Sequence, residues 1–274
     1  MSRRRSLIRG TLIFLAGALV AGAAALAATG GSDDIRKTSV SDGTPVFGLR
    51  PTGVGLPIIP VSASSLGAGD LAGALNDYHD SGAYADDLAA VDSKARSYLL
   101  KRLDRLAAKK KRCRKYSHRN HKPLSRCEQP KFAIVLDIDE TSISNYAYLG
   151  DFTNVVAKLA QAAVAATSPA IGPTLKLYDL AKSRGVAPFF ITGRPTAFES
   201  LTTQNLTYAG YSGWRGLILN PGGHPLTDYK SSERAKIEKQ GYRILVNLGD
   251  QESDLAGGHA GRAFKLPNPF YYSP

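Results

Sequence analysis

Four short, almost continuously apolar runs recur in the C-terminal half of the chain. They cover residues 132–136, 186–191, 216–219 and 244–248. Strands that are apolar on both faces are typical of parallel sheets that helices cover on either side. Amphipathic stretches long enough for helices lie between the runs, at residues 152–165, 173–184, 196–209 and 231–240. This alternation predicts an α/β fold built on a Rossmann-like, doubly wound parallel sheet.

The preceding segment, from residue 70 onward, has a helical pattern. Its apolar residues recur at spacings of three and four, at positions 88, 91, 95, 99, 103 and 106. This spacing predicts helices, and Ser81-Gly82 predicts a break between two of them. Residues 109–130 are strongly basic and bracketed by two cysteines. We expect this stretch to leave the helix as an insertion that forms a surface loop.

The N-terminus has the organisation of an export signal. Residues 1–28 comprise a basic start, an apolar Ala-rich stretch and small residues suited to cleavage. Residues 29–69, rich in Gly, Pro, Ser and Thr, are predicted to be a flexible linker, which leaves residues 70–274 as the folded domain. We therefore predict a secreted or cell-envelope protein with no membrane span after cleavage. An uncleaved anchor is the alternative, because 18 residues approach the length that spans a bilayer.

The net charge of +12 comes from two segments. The N-terminus supplies four arginines, and residues 101–122 contain eleven Lys or Arg against one Asp. Because the remainder is close to neutral, the overall charge does not indicate a specific nucleic-acid partner. The basic stretch leaves two interpretations open: weak contact of residues 109–122 with anionic surfaces, or a solvated loop.

Cys113 and Cys127 are the only cysteines of the chain. In an exported protein, two cysteines are more often paired than free. A metal site with two cysteines falls short of the four ligands that structural zinc takes. We therefore predict a disulfide bond across the basic stretch.

Polar residues that could take part in catalysis or ligand binding follow the apolar runs or precede the last predicted helix. In chain order they are Asp137 and Asp139, Thr192 and Gly193, Lys230, and Asp250 and Asp254. Parallel α/β sheets bind ligands beyond the carboxyl ends of their strands, so these residues form the candidate site. Arg194 is predicted to be an ion-pair or packing residue.

Phosphoryl transfer needs side chains of these types. A hard cation held by carboxylates offsets the phosphate charge, while a lysine and a hydroxyl or helix N-terminus bind the remaining oxygens. A carboxylate can attack phosphorus, which divides hydrolysis into two steps. On the residues alone, Asp137 and Asp139 could equally cap a helix, and Asp254 could serve a helix dipole.

The motifs resemble those of the haloacid dehalogenase (HAD) superfamily, in their usual order. The matching residues are Asp137-x-Asp139-x-Thr141, Thr192, Lys230 and Gly249-Asp250-x-x-x-Asp254. More closely, residues 70–274 resemble subfamily IIIB, the class B/C secreted acid phosphatases, and the plant acid phosphatases and vegetative storage proteins. Segments such as Phe190-Ile191-Thr192-Gly193-Arg194-Pro195 carry this likeness. The resemblance implies the HAD fold with N-terminal helices and little or no cap domain.

The resemblance also implies a role for each acidic residue. Asp137 would be the nucleophile and a metal ligand. Asp139 would be the general acid/base and a ligand through its backbone carbonyl. Asp250 would be the third protein ligand of Mg²⁺, and Asp254 would be a second-sphere acid near the metal or Lys230.

Thr192, Gly193 and Lys230 would bind the phosphate group of the substrate. The implied reaction is hydrolysis of a small phosphate monoester through an aspartyl-phosphate on Asp137. Two alternatives stay open: transfer of the phosphoryl group to an alcohol instead of water, and a non-catalytic storage or surface-binding protein.

Overall fold

The computed structural model describes residues 37–39, 45–47, 68–150, 152 and 154–272. Its strands are β1 (Lys37–Ser39), β2 (Pro45–Phe47), β3 (Lys131–Leu136), β4 (Ala187–Pro195), β5 (Gly216–Asn220), β6 (Tyr242–Gly249) and β7 (Arg262–Lys265). Strands β3 to β7 form one sheet in the order β5-β4-β3-β6-β7, and every neighbouring pair in it is parallel. The predicted parallel α/β sheet is therefore confirmed.

The helices are α1 (Ala68–Asp80), α2 (Ala83–Arg119), α3 (Tyr146–Leu149), α4 (Val155–Ala165), α5 (Gly172–Ser183), α6 (Glu199–Tyr208), α7 (Leu226–Lys239) and α8 (Glu252–Leu255). Short 3₁₀ helices occupy Leu124–Cys127 and Thr196–Phe198. The predicted break near Ser81-Gly82 is confirmed, because Gly82 separates α1 from α2 at a φ of 86°.

Helices cover both faces of the sheet. Along β3, Ile134 and Leu136 pack into one apolar cluster with α2 and α5, whereas Ala133 and Val135 pack into a second cluster with α7. A strand buried on both faces has to be apolar at successive positions, which explains the continuous runs in the sequence.

The edge strand β7 lacks this signal, and the apolar pattern did not predict it. It has four residues, of which Arg262 and Ala263 are exposed and only Phe264 and Lys265 are buried. A short edge strand with one exposed half carries too little apolar sequence to be recognised.

The prediction of a loop across the basic stretch was wrong for residues 109–119. Helix α2 continues through them to Arg119, and the chain turns back only afterwards. Lysine and arginine are good helix formers, and α2 contains neither Gly nor Pro to stop it. The predicted disulfide is present, because Cys113 near the end of α2 is bonded to Cys127 of the following 3₁₀ helix.

The predicted signal segment, residues 1–28, and most of the predicted linker, residues 29–69, lie outside the described residues. Within the linker, β1 and β2 pair antiparallel, with Lys37 opposite Phe47. In the part of the chain that the structure describes, no helix combines the length and apolar content needed to cross a membrane.

Candidate active site

Two acids enter the candidate site from neighbouring strands. Asp137 directly follows β3 and Asp250 directly follows β6, and these strands are adjacent in the sheet. The Asp137 N–H donates to the Leu248 carbonyl at 3.0 Å, so strand pairing continues into the first residue of the site. Both side chains are buried. The two carboxylates therefore meet at the carboxyl edge of the sheet.

Asp254 joins this pair from the short helix α8. Carboxylate oxygens of Asp137, Asp250 and Asp254 lie within 4.8 Å of one another, and all three residues are buried. The Lys230 Nζ donates to Asp137 Oδ1 at 2.6 Å and also to Asp254 Oδ1. One ammonium group thus bridges two of the three carboxylates.

Negative charge exceeds positive charge in this cluster. Burial, and then the charge of Asp254, raises the pKa of Asp137 well above its ordinary value, although Lys230 opposes the shift. Burial and Asp254 likewise raise the pKa of Asp250. Burial alone would lower the pKa of Lys230. The negative charges of Asp137 and Asp254 outweigh the effect of burial, so the pKa of Lys230 is raised. Three buried carboxylates, with one lysine hydrogen-bonded to only two of them, suit a hard divalent cation, which prefers carboxylate oxygen.

Asp254 is held close to the sheet by the absence of a side chain at Gly249 and by hydrogen bonds with Gln251 and Arg234. A Cβ added at Gly249 would stand 2.6 Å from Asp254 Cγ, so only glycine permits this approach. The Asp254 carboxylate accepts the Gln251 N–H at 2.8 Å, and Arg234 Nη1 donates to the Asp254 carbonyl at 2.6 Å. These contacts fix the carboxylate that faces Lys230.

Asp250 accepts hydrogen bonds from three side chains, of which one is the next residue and two come from other parts of the sequence. Thr141 Oγ1 donates to Asp250 Oδ1 at 2.8 Å, while Asn268 Nδ2 and Gln251 Nε2 donate to Oδ2 at 2.8 and 2.5 Å. The Lys265 Nζ donates to the Asp250 carbonyl. The orientation of this carboxylate is therefore set before any ligand arrives.

Asp139 faces a different partner. Arg194 donates to both of its carboxylate oxygens, from Nη2 to Oδ1 at 2.6 Å and from Nε to Oδ2 at 3.0 Å. Asn145 Nδ2 adds a third bond at 2.7 Å. Burial would raise the pKa of Asp139, but the charge and hydrogen bonds of Arg194 outweigh it and lower the pKa. Of the two roles predicted for Arg194, ion pairing or packing, this pair confirms ion pairing.

Glu140 directly follows Asp139 in the chain and is hydrogen-bonded to two other segments. Its backbone has a φ of 51°, and the residue is fully buried. The Asn145 N–H and the Tyr271 hydroxyl donate to its carboxylate at 2.5 and 2.7 Å. Burial, and then the charge of Asp139, raises the pKa of Glu140 to about 8. Glu140 thereby ties the segment that carries Asp139 to the C-terminal segment.

The predicted phosphate-binding residues Thr192 and Gly193 lie in the last part of β4. Thr192 is fully buried, and its Oγ1 accepts the Arg194 N–H at 3.1 Å. At Gly193, an added Cβ would lie 3.4 Å from the Leu226 side chain at the start of α7. Neither residue shares a hydrogen bond with the three-carboxylate cluster among the described contacts.

The position predicted for Lys230, before a helix at residues 231–240, was wrong. Helix α7 begins at Leu226, directly after Pro225, so Lys230 lies inside its second turn. Proline favours the start of a helix, because its φ is preset and it has no N–H to lose. Ser231, the predicted first residue of that helix, lies inside α7, and its hydroxyl donates to the Gly257 carbonyl.

Several residues that shape the site escaped the sequence reasoning. Asn145, Asn268 and Tyr271 are single polar residues within stretches that carry no strand or helix pattern. Arg194 had a usable signal, because it follows Thr192-Gly193 at the strand end where the site was expected. Its partner Asp139 could not be chosen from other acids without the fold.

Residues 70–274 match the family described as HAD superfamily, subfamily IIIB (Acid phosphatase). The chain is 40% identical over 149 residues to Acid phosphatase 1 of Solanum lycopersicum, which covers 50% of this chain and 58% of that protein. It is 36% identical over 148 residues to Vegetative storage protein 1 of Arabidopsis thaliana, 51% of this chain and 55% of the relative.

The chain thus spans less than two thirds of the length of these relatives. The same holds for the Stem 28 kDa glycoprotein of Glycine max, which is 40% identical over 154 residues, 52% of this chain and 61% of that protein. The names of these three relatives are those of a phosphatase, a storage protein and a glycoprotein.

A solved structure shares the fold. The class C acid phosphatase from Bacillus anthracis aligns with a TM-score of 0.54 and 20% identity, over 75% of this chain and 86% of that one. A second structure of that protein, with tungstate bound, aligns with a TM-score of 0.53. Because the family match covers residues 70–274, which include the sheet, its helices and the carboxylate cluster, the protein belongs to the HAD superfamily, subfamily IIIB (acid phosphatase).

Proposed function

We propose that the protein is an exported, Mg²⁺-dependent acid phosphatase that hydrolyses small phosphate monoesters through an aspartyl-phosphate on Asp137. The observation that carries the proposal is the buried cluster of Asp137, Asp250 and Asp254 with Lys230 between two of them. Family membership and the phosphatase named among the relatives support the same activity.

Asp137 and Asp250 would hold the metal through their carboxylates, and Asp139 would contribute its backbone carbonyl. Asp254 would act from the far side of Lys230, as a water-bridged acid or as a partner that keeps the lysine in place. Bound Mg²⁺ would offset the charge of the phosphate and of the clustered carboxylates.

The phosphate oxygens would be bound by Lys230 and by Thr192 and Gly193 at the end of β4. A carboxylate oxygen of Asp137 then attacks phosphorus, and the bond from phosphorus to the leaving oxygen breaks. Because Arg194 lowers the pKa of Asp139, its carboxyl has to take up a proton as the phosphate ester enters the site. Asp139 then gives this proton to the leaving oxygen, so the alcohol leaves neutral. The Arg194 pair holds Asp139 in position for this transfer.

Water completes the reaction. Asp139, now ionised, takes a proton from a water molecule that attacks phosphorus from the side opposite Asp137. The acyl-phosphate bond breaks, inorganic phosphate leaves, and the Asp137 carboxylate is restored. Lys230 stays beside Asp137 throughout and stabilises its charged form.

The activity test uses the protein without residues 1–28 and an aryl phosphate. We expect phosphate release that is lost on chelation and restored by Mg²⁺, and loss of at least about 1,000-fold in Asp137→Asn, because no other carboxylate can replace the nucleophile. Asp179→Asn, which removes an exposed carboxylate, is the matched control and should keep full activity. Turnover that persists after chelation, or in Asp137→Asn, would contradict the mechanism.

Metal binding has a readout apart from catalysis. Mg²⁺ at 100 times its dissociation constant should stabilise the protein by about 2.7 kcal/mol, because the ion binds only the folded carboxylate cluster. Asp250→Asn should lose most of this gain, measured as the shift in unfolding temperature with added Mg²⁺. An equal shift in both proteins would place the ion elsewhere.

The two alternatives are separated by product analysis and by activity itself. A phosphotransferase would give a new phosphate ester when glycerol or a nucleoside is added, whereas a phosphatase would give only inorganic phosphate. A storage protein would release no phosphate from any of a broad set of esters. The presence of Asp137, Asp139, Lys230 and Asp250 favours catalysis over storage.

Export is the remaining part of the proposal. The organisation of residues 1–28 supports it, as does the disulfide between Cys113 and Cys127, which persists in oxidising compartments. N-terminal sequencing of protein recovered outside the cytoplasm should begin shortly after residue 28. An intact N-terminus in a membrane fraction would indicate an anchor instead.

A further inference from the structure

The end of helix α2 and the turn after it carry a large excess of positive charge. Residues 106–126 contain nine Lys or Arg and no Asp or Glu. We call residues 109–119, the helical part of this stretch, the basic helix end. In the described structure none of its Lys or Arg side chains is in an ion pair.

The basic helix end presents its charges on several sides. Lys109, Lys110, Lys111 and Arg112 are consecutive, and all four are exposed. Successive residues of an α-helix point about 100° apart, so these four side chains surround the helix. Further along, Arg114, Lys115 and Arg119 are exposed as well.

This arrangement works against the stability of the helix. Lys111 and Lys115, and then Lys115 and Arg119, are like charges four residues apart, and each such pair destabilises the helix. The helix is held by a few contacts on one side: the Cys113–Cys127 disulfide and the buried Ser117, whose hydroxyl donates to Cys127 Sγ at 3.4 Å. The basic side chains themselves are left to solvent.

A cleft beside the helix extends the basic surface. Its volume is about 260 Å³, and Lys110 and Arg114 line it together with Leu124, Ser125, Cys127 and Glu128. The two cations outnumber the one carboxylate, Glu128, and together with the Ser125 hydroxyl they are donors that suit a phosphate group. The disulfide fixes the two walls of this cleft to each other.

We infer that the basic helix end binds a linear phosphate polymer that carries no bases, of which inorganic polyphosphate is the simplest example. A flexible chain of phosphates can follow cations around the helix, whereas a flat surface meets only one side of it. The proposal does not rest on the phosphatase activity, because none of its residues belongs to the candidate active site.

The same residues disfavour the two other polyanions. Membrane-surface helices need an apolar face, but the apolar side chains of the basic helix end are only Cys113, which is in the disulfide, and Tyr116. Single-stranded nucleic acid needs aromatic side chains on which bases stack. Tyr116 is the only Phe, Tyr or Trp between residues 105 and 127, and the Arg126 guanidinium lies 5.8 Å from the centre of its ring.

The test is equilibrium binding of long-chain inorganic polyphosphate to the protein without residues 1–28, over a series of salt concentrations. The variant combines Lys111→Gln, Lys115→Gln and Arg119→Gln. The control combines three exposed cations elsewhere, Lys176→Gln, Arg184→Gln and Arg243→Gln, and has the same net charge. Circular dichroism verifies that both are folded.

We expect the first variant to lose at least tenfold in affinity at low salt while the control loses less than threefold. The slope of log affinity against log salt should fall by about 2 in the variant, at roughly 0.7 per lost phosphate contact. Two further probes are single-stranded DNA of equal charge and vesicles of anionic phospholipid. Equal loss in variant and control, absence of polyphosphate binding, or tighter binding of DNA or vesicles would each overturn the inference.

Discussion

Asp92 is expected to make the protein less stable as the pH rises from acidic to neutral values. This residue lies in α2, is 1% exposed, and faces α5, where the Thr174 hydroxyl donates to its Oδ2 at 3.1 Å. Its Oδ1 has no hydrogen-bond partner among the described residues. Burial raises the pKa of Asp92 to about 7 from its ordinary value of 3.8, although Thr174 and Arg96 oppose the shift.

The sign of the effect follows from the raised pKa. Below pH 4 the carboxyl is protonated in the folded and unfolded chains alike, so folding is not penalised. Between pH 4 and 7 the unfolded chain ionises first, and the folded state loses stability until its own carboxyl ionises. The difference between the two pKa values corresponds to about 4 kcal/mol, at about 1.36 kcal/mol per pH unit.

Asp92→Asn removes this titration. We expect the variant to be more stable than the parent at pH 8, and its advantage to shrink by up to about 4 kcal/mol as the pH falls to 4. Urea unfolding of both proteins in metal-free buffer across this range measures the difference. Asp104→Asn, an exposed carboxyl on the same helix, controls for the loss of one negative charge. Parallel stability curves for the parent and Asp92→Asn would refute the reasoning.

Arg194→Lys should lower kcat/KM about tenfold for alkyl phosphates and less than threefold for dinitrophenyl phosphate, because the two-point hold on Asp139 matters only when the leaving oxygen needs a proton. Equal losses for both substrates, in steady-state assays, would assign Arg194 another role. Gly249→Ala should cost about 1–3 kcal/mol in denaturant unfolding, because the new methyl group meets Asp254, and it should also weaken stabilisation by Mg²⁺. Unchanged stability would mean that α8 can move aside. Leu99→Ala, at a fully buried position of α2, should cost about 2–5 kcal/mol in the same measurement while leaving KM unchanged. A loss below 1 kcal/mol would show that α2 does not belong to the main core.

The central strands of the sheet could be predicted because they are buried on both faces. Residues such as Ile134 and Val135 point to opposite sides yet both meet helices, so the sequence is apolar at each position. The basic helix end could not be placed in the same way. Charge density suggested a loop, whereas helix propensity and the absence of Gly and Pro decided the outcome.

The candidate site was predictable where residues follow strands and was not where they approach through space. Asp137 and Asp250 follow adjacent strands, and strand order alone brings them together. Asn145 reaches Asp139 from a short irregular segment, and Asn268 reaches Asp250 from beyond the last strand. No local pattern distinguishes these amides from others in the chain, because their role depends on contacts that only the folded chain makes.

The hydrogen bond from Tyr271 to Glu140 means that the site is completed late during synthesis of the chain. The two residues are 131 positions apart, and Asn268, which orients Asp250, also comes after the last strand. A ribosome that has produced the whole sheet has therefore not yet supplied two of the side chains that hold these acids in place. A growing chain would remain without an assembled site until the segment that contains Tyr271 has emerged and packed.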